Sequence, residues 1–168
     1  MQLPDPNELL RRLTVNLAQL LDERQISNPV MIGIYTGGVW VARALHHHLG
    51  LSEPLGTLDI SFYRDDFTTA GLHPQVLPSQ LSFNVEGRHI ILVDDILHTG
   101  RTVRAALNEI FDFGRPASVI LATLVARDGR ELPVQPDVTG GSYALRPGHY
   151  LKLTGPEPLG FSIISREP

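Results

Sequence analysis

Apolar residues recur along this chain with two different spacings, and the alternation between them predicts a fold. Leu9, Leu10, Leu13, Leu17, Leu20 and Leu21 share one helical face. Asp5 is a good N-cap ahead of them, Pro6 suits the first helical position, and Glu8 stands where a capping box takes its acid. That helix fades over 25–29. Residues 30–34 are continuously apolar, as in a strand buried on both faces. A turn at Thr36, Gly37 and Gly38 leads into a second helix, marked by Val39, Ala42, Leu45, His46 and Leu49 and stopped by Gly50. Further strands are predicted over 58–62, 80–83, 89–93 and 119–125, with a turn at 84–87. A helix from about 102 to 113 carries Val103, Leu107, Ile110 and Phe111 on one side and ends at Gly114 and Pro116. Residues 67–78 lack periodicity and read as a long functional loop. The last forty residues, rich in Gly and Pro, suggest short strands near 150–153 and 161–164. Strand and helix alternating in this way predict one α/β domain over 1–168, a central parallel sheet flanked by helices. Ligands of such sheets sit at the carboxyl ends of the strands.

Composition narrows the function classes. The chain lacks cysteine, which removes disulfides, thiolate metal sites and a cysteine nucleophile. The amino-terminal residues carry no basic-then-apolar leader, and no apolar run is long enough to span a bilayer. The expected location is the cytoplasm, with no membrane partner. A formal net charge of -4 argues against a dedicated nucleic-acid binder, although a local basic patch is compatible with it. Three consecutive histidines, His46, His47 and His48, fan out around a helix and cannot share one ion. Trp40 reads as helix packing, and no phosphate-binding P-loop motif is present.

The candidate chemistry follows the strand at 89–93. Asp94 and Asp95 are expected to end that strand, and two adjacent carboxylates repel unless hydroxyls or a divalent cation compensate. Thr99, Gly100, Arg101 and Thr102 then turn into a helix. Backbone N–H groups and threonine hydroxyls there form an anion site, and Gly100 permits close approach of a phosphate. An acidic pair alone is more often a solvated strand end. The complete strand, pair, turn and helix favours a ligand site.

Four apolar residues, two acids and a Thr-Gly-x-Thr turn resemble the signature of the type I phosphoribosyltransferase family. The resemblance implies that Asp94 and Asp95 hold the ribose hydroxyls of phosphoribosyl pyrophosphate. It gives the 5-phosphate to His98, Thr99, Gly100, Arg101 and Thr102. The segment around Thr36, Gly37 and Gly38 is similar to the family's pyrophosphate loop, which contains a strained and often cis peptide. Gly37 stands where the family commonly has a basic residue. The family also implies Mg²⁺, reached indirectly through Asp94 and Asp95, a flexible loop over 67–77 that closes on the site, and a small hood over the base.

Residues 58–66, 93–104, 113–116 and 130–133 look like the branch of the family that joins uracil phosphoribosyltransferase activity to control of bacterial pyrimidine genes. The likeness runs from about residue 8 to residue 138. It implies conversion of uracil and phosphoribosyl pyrophosphate to UMP and pyrophosphate, by positioning and charge stabilisation. Arg64 would neutralise the leaving pyrophosphate and Tyr63 orient it, although the pair also reads as a solvated strand end. The hood would be 125–138, with Val125, Arg127 and Val138 at the base. Ala126, Asp128 and Gly129 depart from a more polar family stretch. A homodimer or higher oligomer is implied. RNA binding is disfavoured, because Arg11, Arg12 and Arg24 share the first helix with Glu8, Asp22 and Glu23. Two alternatives stay open: a nucleotide-sensing regulator with little catalysis, and a preference for another base. A phosphorelay receiver is set aside, since too little chain follows the acidic pair.

Overall fold

In the computed structural model, which describes residues 2–60 and 79–165, five parallel strands form one sheet in the order β2-β1-β3-β4-β5. The elements are α1 (Pro6–Glu23), β1 (Val30–Ile34), α2 (Gly37–Leu49), β2 (Gly56–Leu58), β3 (His89–Leu97), α3 (Arg101–Phe113), β4 (Ser118–Ala126), β5 (Val138–Ser142), β6 (His149–Thr154) and β7 (Gly160–Ser165). The last two strands pair antiparallel as a separate hairpin. The predicted loop at 67–78, with Tyr63 and Arg64, lies outside the described residues.

Alternation along β3 divides the core. Ile91 and Val93 face α1 and α2, where Leu13, Leu17 and Leu45 are wholly buried. Ile90 and Leu92 face α3 and meet Val103, Ala106 and Ile110. The β6–β7 hairpin joins the first layer through Leu151 and Leu153. Trp40 packs against the same layer and lies beside Gly155. Helix α1 lies across β5 so closely that a side chain at Gly140 would meet the Leu9 carbonyl at 2.5 Å. An Arg24–Asp137 ion pair at 3.1 Å fixes the far end of that helix.

Several predicted boundaries are corrected. β3 does not stop before the acidic pair. It runs on to Leu97, because its ladder with β4 continues through Asp94–Thr123 to Leu97–Ala126. β2 begins at Gly56, two residues before the predicted start, and ends at Leu58. Residues 80–83 form no strand; only Gln80 bridges, antiparallel, to Thr57. β5 was not predicted, since its Gly-Gly core shows no apolar alternation. Asp5 caps α1 through Asn7 N at 2.9 Å, but Glu8 turns away from a capping box and pairs with Arg12. Phe111 is exposed, one residue around the helix from buried Ile110.

Candidate active site

A 2-1-3-4-5 strand order reverses direction between its first and third strands, and the crevice opens where the connections diverge. Here that point lies between β1 and β3. The two turns singled out from the sequence both leave the sheet there. The first, after β1, has a cis Tyr35–Thr36 peptide and passes into the amino end of α2. The second follows β3 into α3.

The first turn packs against the acidic pair of β3. A methyl group placed on Gly37 would lie 2.1 Å from Asp95 Oδ2, and one on Gly38 would lie 2.8 Å from the Val93 carbonyl. The family's basic side chain therefore has no room at Gly37 in this arrangement. Asp94 is buried, with Oδ1 accepting the Asp95 N–H at 2.9 Å, and Asp95 Oδ1 accepts the Ile96 N–H at 2.9 Å. Each carboxylate is thus oriented by the amide that follows it.

Gly100 caps α3 with φ of 95°, a left-handed value that suits glycine. The Thr99 hydroxyl accepts the Arg101 N–H at 3.2 Å. The loop therefore presents amide hydrogens and hydroxyls at the start of a thirteen-residue helix, where an anion is stabilised by the helix end. Arg101 Nε donates to Glu131 at 2.7 Å, a contact between two half-exposed side chains.

Residues 127–134 fold back against this loop. Arg127 N donates to Leu97 O at 2.8 Å, and Glu131 N donates to Thr99 O at 2.9 Å. The Arg130 guanidinium gathers three carbonyls: His98 at 2.5 Å, Arg127 at 2.8 Å and Val134 at 2.9 Å. Arg130 thus braces residues 127–134 against the turn after β3, a role that local sequence does not reveal although residues 130–133 carry part of the family likeness. His98 sits under this segment. Burial lowers its pKa below the usual 6.5, and the nearby Arg127 charge lowers it further.

The three residues assigned to the base are not equivalent. The side chains of Val125 and Val138 belong to the core beneath α1. Arg127 emerges from the end of β4 and borders an open cleft of about 520 Å³ with Asp128, Arg130, Gln135, Ser142 and Tyr143. Arg64 lies outside the described residues. Among the described residues no cluster of three His, Asp or Glu could hold a metal, and His46 is engaged with the Glu53 carbonyl at 2.6 Å. No helix among them is long and apolar enough to cross a membrane.

The phosphoribosyl transferase domain model matches residues 2–144. Bifunctional protein PyrR of Nitrosococcus oceani is 58% identical over 175 residues, covering 100% of this chain and 99% of that protein. Bifunctional protein PyrR of Pseudomonas syringae pv. syringae is 58% identical over 163 residues, covering 97% and 96%. A hypoxanthine-guanine phosphoribosyltransferase of Bacillus anthracis shares the fold at a TM-score of 0.69 and 18% identity, over 90% of this chain and 86% of that one. A purine phosphoribosyltransferase of Pyrococcus horikoshii superposes at 0.61 with 26% identity, over 82% and 86%. With the acidic pair, the anion turn and the strand order all in place, this chain belongs to the type I phosphoribosyltransferase family.

Proposed function

We propose that this chain transfers the phosphoribosyl group of phosphoribosyl pyrophosphate to uracil, giving UMP and pyrophosphate, and also serves as a regulator of pyrimidine genes. One observation carries the catalytic reading: Gly37 lies directly against Asp95, which joins the pyrophosphate turn and the ribose carboxylates into one continuous seat. The base identity and the regulatory role rest on likeness to the bifunctional proteins over essentially the whole chain.

The roles are those the family resemblance implies, and the arrangement of the turns supports them. The loop of His98, Thr99, Gly100, Arg101 and Thr102 binds the 5-phosphate at the end of α3. Asp94 and Asp95 accept hydrogen bonds from the ribose hydroxyls and oppose the positive charge that builds on the ribose as the pyrophosphate bond breaks. Thr36, Gly37 and Gly38 offer amides to the pyrophosphate. Arg127 faces the base. The hard oxygen donors of Asp94 and Asp95 fit Mg²⁺ held through water and substrate, as a pair of carboxylates does beside phosphates. Mg²⁺ bound in this way would neutralise part of the pyrophosphate charge.

RNA recognition gains no support from the first helix, where Arg12 pairs with Glu8 and Arg24 with Asp137. The expected assembly is a homodimer or higher oligomer in the cytoplasm. The test is formation of UMP from uracil and phosphoribosyl pyrophosphate with Mg²⁺, in competition with hypoxanthine and guanine. Asp94→Asn with Asp95→Asn should abolish turnover and leave the circular dichroism spectrum unchanged. Full activity in that double variant would remove the assignment of the site. Preferential use of a purine would overturn uracil as the substrate.

A further inference from the structure

The phosphoribosyl transferase domain match stops at residue 144, yet the hairpin beyond it reaches back to the site. Arg127 is only 7% exposed, and its Nε is buried with no hydrogen-bond partner among the described residues. One polar contact comes from the hairpin, as Arg127 Nη2 donates to the His149 carbonyl at 3.2 Å. The guanidinium carbon also lies 6.0 Å from the centre of the Tyr150 ring, at the outer reach of a cation–π attraction. The same ring meets the His98 imidazole edge-on, with centroids 6.4 Å apart and planes inclined by 72°. One aromatic ring therefore contacts a residue of the phosphate turn and a residue of the base segment.

We infer that Tyr150 is a positioning residue for the base: its ring, delivered by the β6–β7 hairpin, holds the Arg127 guanidinium at its place beside His98. The inference rests on the proposal above that Arg127 faces the base. Leu151 and Leu153, on the same strand as Tyr150, are buried in the core, so the hairpin is a firm support. Tyr150 itself is 38% exposed, so replacing it removes a contact without opening the core. A buried cation that loses its aromatic partner can rotate away, and a base-contacting group that is free to rotate binds less tightly.

The experiment compares Tyr150→Leu and Tyr150→Phe with the wild-type full-length chain, measuring kcat and both KM values together with thermal melting. Tyr150→Leu should raise KM for uracil about tenfold, with KM for phosphoribosyl pyrophosphate within about twofold of wild type. Tyr150→Phe keeps the ring and should restore KM for uracil to within about twofold. Unchanged KM for uracil in a folded Tyr150→Leu variant overturns the inference. So does a parallel rise in both KM values accompanied by a lower melting temperature, which marks general loosening. A second measurement needs no turnover: the His98 imidazole is titrated by NMR, its signal assigned with His98→Gln. Removing the ring should move its midpoint up toward 6.5. If wild type uses no base, the function proposed above fails, and the His98 titration then decides this inference. An unshifted midpoint in Tyr150→Leu overturns it.

Discussion

Gly37→Ala tests the contact on which the site is built. The added methyl would sit 2.1 Å from Asp95 Oδ2, 2.8 Å from Cγ and 3.1 Å from Cβ. Ordinary contact begins near 3.4 Å, so the carboxylate would have to retreat by roughly 1 Å in a packed environment. The Asp95 Oδ1 bond from the Ile96 N–H resists that turn. Overpacking of this kind costs about 1–3 kcal/mol of stability. Misplacing a catalytic group by about 1 Å costs on the order of 100-fold in rate. The expected result is therefore a modest fall in melting temperature beside a fall of about 100-fold in kcat/KM for phosphoribosyl pyrophosphate. Gly50→Ala supplies the control. It caps α2 at φ of 61° with open space around it, so the same substitution there should cost about 1 kcal/mol and leave activity intact. Combining Gly37→Ala with Asp95→Ala should recover the lost stability and none of the activity. Steady-state kinetics and thermal melts read all four proteins. Wild-type kcat/KM in Gly37→Ala would refute the idea that the first turn and the acidic pair form one seat.

Leu13, wholly buried between α1 and the sheet, should lose about 2–5 kcal/mol on Leu13→Ala, read by urea denaturation. His98 makes stability depend on pH. Its folded pKa lies below the unfolded 6.5, so its contribution is present above 6.5 and is lost as pH falls through 6.5 toward the folded value. Melting temperature should drop on acidification through that window, and His98→Gln should flatten the slope there; an unchanged slope would mean that another group is responsible.

The sequence was informative wherever local chemistry is decisive. Nearly continuous apolar runs at 30–34 and 119–125 located β1 and β4 almost to the residue, because strands buried on both faces leave few polar positions. Gly50 marked the end of α2 through its left-handed cap. The acidic pair and the following turn were legible because strand end, carboxylates and helix start are adjacent in the chain. What depends on distant partners was not. β5 escaped notice because Val138, Gly140 and Gly141 gain their strand from pairing with β4, not from their own pattern. The brace at Arg130 and the ring of Tyr150 act across loops whose meeting no local spacing encodes. Val125 and Val138 lie in the segment assigned to the base, yet burial directs their side chains into the core.

The union of α1 with β5 also sets the order of events as the chain is made. The first helix emerges with its row of leucines, but the strand it covers is synthesised roughly a hundred residues later. At ordinary elongation speeds that interval is on the order of ten seconds. Helix α2 and strands β3 and β4 cover part of the row earlier, but the cover that β5 supplies is missing until synthesis passes Ser142, and the nascent chain keeps that part of its apolar surface open until then.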